Sequence, residues 1–129
     1  MSPSDHGAHE RWLAGYRRAW QSDAPADIEA LFTEDATYSP SPFAETWRGR
    51  DAIVDEWIKR GDSGAAWSFE HEILAVDGPV GVIQGLTTYD ATDKDPETVY
   101  ANLWIVSLAP DGRATSFAEW WAQRPEAKA

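Results

Sequence analysis

The chain contains no cysteine, which removes disulfide stapling, a thiolate nucleophile and any cysteine-ligated zinc or iron–sulfur site from consideration. Basic residues are scarce as well: 11 Lys and Arg stand against 22 Asp and Glu, for a formal net charge of −11. That excess repels nucleic-acid phosphates and anionic lipid headgroups, and the cations are scattered rather than gathered in a stripe, so neither nucleic acid nor a membrane surface is expected as a partner. No apolar run approaches the roughly 20 residues of a membrane-spanning helix, and the opening MSPSDHGAHE lacks a charged-then-apolar secretory pattern. A soluble, cytoplasmic protein is the expectation. With 129 residues, one core is expected, in a domain over residues 1–125 followed by a short tail over 126–129.

Aromatic residues, by contrast, are abundant: eight Trp, four Tyr and four Phe. Such rings bury large areas while their N–H and O–H groups seek partners, which suits either a wet-ended pocket for a small hydrophobic molecule or a dimer contact.

From Asp5 to about Ser22 the positions Trp12, Leu13, Tyr16, Ala19 and Trp20 recur at helical spacing, with Ser4 or Asp5 available as a cap. Pro25 opens a second short helix whose face carries Ile28, Leu31 and Phe32. Ala36 to Ser39 has strand character, ended by Pro40 and Pro42, so Ser39 to Arg48 reads as a loop. A third helix follows Gly49, carries Ile53, Val54, Trp57 and Ile58, and stops at Gly61. The remainder reads as four strands in meander order: Trp67 to Val76, Val80 to Tyr89, about Thr98 to Leu108 and Ala114 to Gln123, with Asp77-Gly78 and Asp111-Gly112 as hairpin turns. The connection Asp90 to Glu97 is polar, and it lacks the ligand pattern of a calcium loop. Three helices followed by a meander make an α+β plan.

Several landmarks, in this order, resemble the nuclear transport factor 2-like superfamily, in particular its SnoaL-like and ketosteroid-isomerase-like branches. They are Tyr16-x-x-Ala19-Trp20, Ile28-x-x-Leu31-Phe32-x-x-Asp35-Ala36-x-Tyr38, Trp47-Arg48-Gly49-Arg50-x-x-Ile53, and the final hairpin leading into Phe117-x-Glu119-x-Trp121. The resemblance spans nearly the whole chain. It implies a cone-shaped, curved antiparallel sheet wrapped around N-terminal helices, a cystatin-like roll with a cavity between the two, and frequently a homodimer through the outer sheet face. It does not imply one reaction, since this fold hosts isomerases, dehydratases, cyclases, epoxide hydrolases and binders.

Strand alternation sends Phe117, Glu119 and Trp121 to one face. The resemblance makes this the cavity face, and likewise turns Asn102, Trp104 and Val106 inward on the preceding strand and Trp67, Phe69 and His71 inward on the first long one. Tyr16 and Trp20 would face them from the first helix, with Tyr38 and Trp57 completing the substrate-binding wall. Glu119, among aromatic rings, is the leading candidate for proton transfer; alternatively it closes a structural network with a Trp N–H or Tyr O–H. His71 is a candidate relay, alone or as a dyad with Glu119, or else a satisfied wall residue. Tyr16 matches the tyrosine with which ketosteroid isomerases donate to a substrate carbonyl, or else it is core.

Departures matter too. The catalytic aspartate of ketosteroid isomerases falls at Pro40-Ser41 and their second oxyanion donor at Trp104, which argues against steroid isomerisation by the same constellation. The Asp-Arg-Asp arrangement of limonene-epoxide-hydrolase-like members is not evident. His6 and His9, near Glu10, share a helix face without an identifiable third ligand, so solvent exposure rather than a metal site is expected for them. Phe43 and Trp47 either cover the pocket mouth or pack on the third helix.

The leading reading is cofactor-independent acid–base catalysis of isomerase, cyclase or dehydratase type on a hydrophobic carbonyl-bearing or cyclic substrate, with no metal. Two others compete with it: binding of an apolar metabolite without catalysis, and a homodimerisation domain using outward aromatics such as Trp120 and Tyr89.

Overall fold

The computed structural model describes residues 6–60 and 66–125. Helix α1 (His6–Ser22) buries Trp12, Leu13, Tyr16 and Ala19 along one stripe, as the periodicity of its apolar residues demands. Its predicted cap lies outside the described residues. Helix α2 (Pro25–Glu29) begins on Pro25, whose missing N–H costs nothing in a first turn.

Strand β1 (Phe32–Ser39) starts four residues earlier than its strand-forming composition indicates. Phe32 keeps helical spacing with Ile28, but the chain leaves the helix at Ala30. The Leu31 carbonyl accepts from the backbone N–H of Ala114 at 2.7 Å and from the Trp12 indole N–H at 2.9 Å. Tertiary pairing thus outweighs local periodicity. A two-residue strand β2 (Trp47–Arg48) interrupts the expected loop and pairs with Thr37 and Tyr38. Helix α3 (Arg50–Lys59) then packs Ile53, Val54 and Trp57 inward and ends on Arg60, so the anticipated stop at Gly61 lies outside the described residues.

Strands β3 (Trp67–Asp77), β4 (Val80–Tyr89), β5 (Thr98–Leu108) and β6 (Ala114–Gln123) form the expected meander, turning at Gly78 and Gly112 with positive φ. The six strands make one curved sheet in the order β2-β1-β6-β5-β4-β3. The antiparallel expectation needs one correction: β1 runs parallel to β6, because helix α3 and the strands after it separate the two in sequence and β1 docks on the far side of the meander.

Gly81 lets the helix lie close on the concave face, and Gly85 makes room for a ring of the neighbouring strand β3. A Cβ on Gly81 would come 2.5 Å from the His9 ring, and one on Gly85 would come 2.5 Å from the Phe69 ring. His9 is therefore fully buried, correcting the expectation of solvent exposure; only His6 of that pair is exposed. No group of His, Asp and Glu among the described residues could hold a metal ion, and no described helix is long and apolar enough to cross a membrane.

Candidate functional site

The cavity lies at the C-terminal end of α1, between that end and the concave face of β4, β5 and β6. It encloses about 670 Å³, a volume within the usual range for small-molecule sites. Of the residues expected to line it, Tyr16, Trp20, Tyr38, Trp57, Asn102, Trp104, Glu119 and Trp121 do so.

Glu119 stands on β6 opposite Trp104 of β5. Its Oε2 accepts a 2.6 Å hydrogen bond from Asn102 Nδ2, and Asn102 Oδ1 in turn accepts one from Thr87 Oγ1 at 2.8 Å. The Trp104 indole N–H is near enough to favour the carboxylate anion, although it makes no well-formed hydrogen bond. Burial nevertheless dominates, and it pushes the Glu119 carboxyl above the ordinary carboxylate range.

Across from it, the hydroxyls of Tyr16 and Tyr38 lie 3.0 Å apart. Tyr16 rests against Trp104 with ring centroids 4.6 Å apart, and Tyr38 stacks between Trp47 and Phe117. Burial raises both phenols far above their usual range, with the neighbouring Glu119 charge adding to the effect. Both therefore remain protonated donors at any ordinary pH. In a pair of hydroxyls one proton is shared, which leaves the other to donate to a ligand oxygen.

Four expected site residues are not brought to the cavity. Phe117 and Phe69 are core, stacked behind the Tyr16 and Trp104 rings, and Trp67 lies flat on Trp20 at 3.9 Å, forming the outside of the wall. His71 has the inward parity expected of it but belongs to the other end of α1: its Nε2 lies 3.3 Å from Glu10 Oε2 and its ring stacks on Phe69. Glu10 precedes Tyr16 by nearly two turns, roughly 9 Å of helix rise. A dyad of His71 with Glu119 is accordingly not formed.

Other lining residues went unread. Thr87 and Tyr89 of β4 and Tyr100 of β5 face inward, and alternation from Asn102 and Trp104 would have found Tyr100. Tyr89, expected on the outside, is thereby corrected. Asp23, at a left-handed φ of 50°, accepts from the Trp57 indole N–H at 3.1 Å and lines the cavity between α1 and α3. An aspartate just past a helix end is one of the few residue types that tolerate this conformation. Arg60 reaches the rim over the Trp47 ring and is engaged by Glu56. Of the two candidate lid rings, Trp47 lines the mouth while Phe43 is wholly exposed.

The family model described as the SnoaL-like domain matches residues 13–123. No curated protein matches the sequence. Among solved structures, the chain is similar to SalBIII, an epoxide hydrolase/cyclase-like enzyme of pyran ring formation in the polyether salinomycin, at 20% identity and a TM-score of 0.74 over 92% of this chain and 94% of that one. A candidate ketosteroid isomerase from Kribbella flavida is similar at 16% identity and a TM-score of 0.67, covering 100% of this chain and 87% of that one. A candidate SnoaL-like polyketide cyclase from Shewanella denitrificans is similar at 15% identity and 0.66, over 88% and 89% respectively. At these identities the likeness is one of fold.

Proposed function

The chain belongs to the SnoaL-like domain family of the nuclear transport factor 2-like superfamily, and on that premise we propose that it is a cofactor-independent acid–base catalyst acting on a hydrophobic carbonyl-bearing or cyclic substrate. The observation that carries this reading is the Glu119 carboxyl, desolvated on the cavity wall and faced by a pair of tyrosine hydroxyls.

In the proposed cycle the Glu119 carboxylate takes a proton from a carbon or hydroxyl of the substrate. Charge developing on the substrate oxygen is met by the free O–H of the Tyr16 and Tyr38 pair. Protonated Glu119 then returns the proton to a second substrate atom, so the cycle closes with no net change in the enzyme. A carboxyl whose pKa lies above its ordinary value is better matched to both halves of this exchange near neutral pH. The aromatic rings supply the apolar contact, and His71 has no part in the cycle. Ring formation or isomerisation both fit this chemistry, and the cyclase-type activity named for SalBIII supports the former.

The test follows deuterium wash-in at the α-carbon of cyclic ketones, and ring closure of hydroxy-epoxides, by NMR in D2O. Ligand entry is followed separately by quenching of tryptophan fluorescence. We expect Glu119→Gln to reduce turnover about 100-fold or more while leaving binding intact. Equal turnover in wild type and variant would overturn the assignment.

We also propose that two copies pair through the convex face of the sheet. Leu86, Leu103, Ile105 and Trp120 form a connected apolar surface there, with Trp120 directly opposite Leu103 in the ladder and 55% exposed.

A further inference from the structure

A terminal amide presents an acceptor at one end and donors at the other, so its orientation decides which charge state of a neighbouring carboxyl it supports. Asn102 is such an amide. It is 8% exposed and Thr87 beside it is 2% exposed, so the fold supplies most of the partners either side chain can find. Thr87, Asn102 and Glu119 lie on one face of adjacent strands β4, β5 and β6 at diagonal ladder positions, Thr87 opposite Tyr100, Asn102 opposite Trp121, and Glu119 opposite Trp104. Diagonal neighbours on a sheet are within reach of medium-length side chains, and here the reach is met twice, at 2.8 Å and 2.6 Å.

We propose that Thr87 is a positioning residue that turns the amino end of Asn102 toward Glu119 and so holds Glu119 in its proton-accepting form. While the Thr87 O–H donates to Asn102 Oδ1, only the Asn102 N–H groups can face Glu119, and N–H donors favour a carboxylate anion. With the hydroxyl removed, the amide is free to turn. It can then offer its oxygen to the O–H of a protonated Glu119, which stabilises the acid form while the anion gains nothing. The Glu119 titration midpoint must therefore rise, and a base needed at neutral pH becomes more of a bound acid.

The inference rests on the reading of Glu119 as the proton-transfer group, but its test needs no substrate. The ionisable groups lining the cavity with Glu119 are Tyr16 from α1, Asp23 after it, Tyr38 from β1, Arg60 after α3, Tyr89 from β4, Asp90 and Asp95 from the β4–β5 connection, and Tyr100 from β5. None is altered by a change at Thr87, so a shift in midpoint reports on the amide.

The experiment is a pH titration of the side-chain carboxyl ¹³C resonances in glutamate-labelled protein, with the Glu119 signal identified by its absence from Glu119→Gln. Thr87→Val keeps the shape and loses the hydroxyl; Thr87→Ala loses it without any risk of overfilling the site; Thr87→Ser keeps it. We expect the midpoint to rise by about one pH unit in the Val and Ala variants and to stay at the wild-type value in Ser. An unchanged midpoint in Val and Ala, or a Ser variant shifted as far as they are, would overturn the proposal. Loss of turnover in Glu119→Gln would stand in either case, which separates a failure of the relay from a failure of the catalytic reading.

Discussion

A carboxyl group that accepts one short hydrogen bond and otherwise faces aromatic rings is costly to ionise, and that cost varies with pH. Burial raises the folded-state pKa of Glu119 above its ordinary 4.5, so the folded chain keeps this proton to higher pH than the unfolded chain does. Its contribution to stability is fully present below the unfolded value and is lost as pH rises through the folded one. Glutamine carries no such dependence. Calorimetric melting of Glu119→Gln should therefore show its Tm gaining on wild type between pH 4 and pH 8; a gap that stays constant with pH would contradict a desolvated carboxyl. Trp104 is a different case at the same spot. It is almost wholly buried and packs against Phe69, Tyr16 and Phe117, so Trp104→Ala should cost about 3–5 kcal/mol in urea denaturation. Both residues were legible as inward-facing once alternation was joined to the family resemblance that picks out the cavity face. Their consequences were not, because desolvation and ring contacts depend on strands that are distant in sequence.

The elements that hold the site depend on close packing over the concave face of the sheet. Gly85 lies under the Phe69 ring with no room for a methyl group. Gly85→Ala should destabilise the fold by about 1–3 kcal/mol through overpacking. Adding Phe69→Leu should recover part of that loss, and urea melts of the two single variants and the double variant test this coupling; simple additivity would refute it. One backbone acceptor of the edge strand β3 is met by α1 as well: Arg17 donates to the Phe69 carbonyl and lays its guanidinium over the Phe69 ring. Helix and hairpin existence was readable here, from the aromatic stripe and the Asp-Gly turns. The start of β1 and the two residues of β2 were not, since Phe32 satisfies a helical period locally and only its pairing with Ala114 draws it into the sheet.

For the molecule as a whole, the concave face of the sheet is covered by α1, whereas the convex face exposes Leu86, Ile105 and Trp120 beside polar residues of β3 and β4 such as Glu70, Glu72 and Gln84. If the convex face joins two copies, wild type should scatter light as a dimer at micromolar concentration and Trp120→Glu as a monomer, since a charge at the centre of that surface would have to be buried unpaired. A monomeric wild type would remove the dimer proposal and leave the cavity untouched, because Trp120 and Glu119 point to opposite sides of β6.

Sequence by itself determined which residues share a face and where the chain turns, since a strand alternates with period two and a helix repeats with period 3.6 whatever surrounds them. Within single strands it grouped Glu119 with Trp121 and Asn102 with Trp104; that these share the concave face with His71 was implied by the family resemblance and is what the ladder shows. Only the tertiary structure decided which of these meet in a cavity. The N-terminal turns of α1 close over one end of the concave face, where His9 fills the space above Gly81 and Glu10 takes His71, while its last turns leave the other end open around Glu119. That division depends on where a helix of roughly 25 Å comes to rest on the sheet, a matter of packing between distant segments that no local pattern encodes.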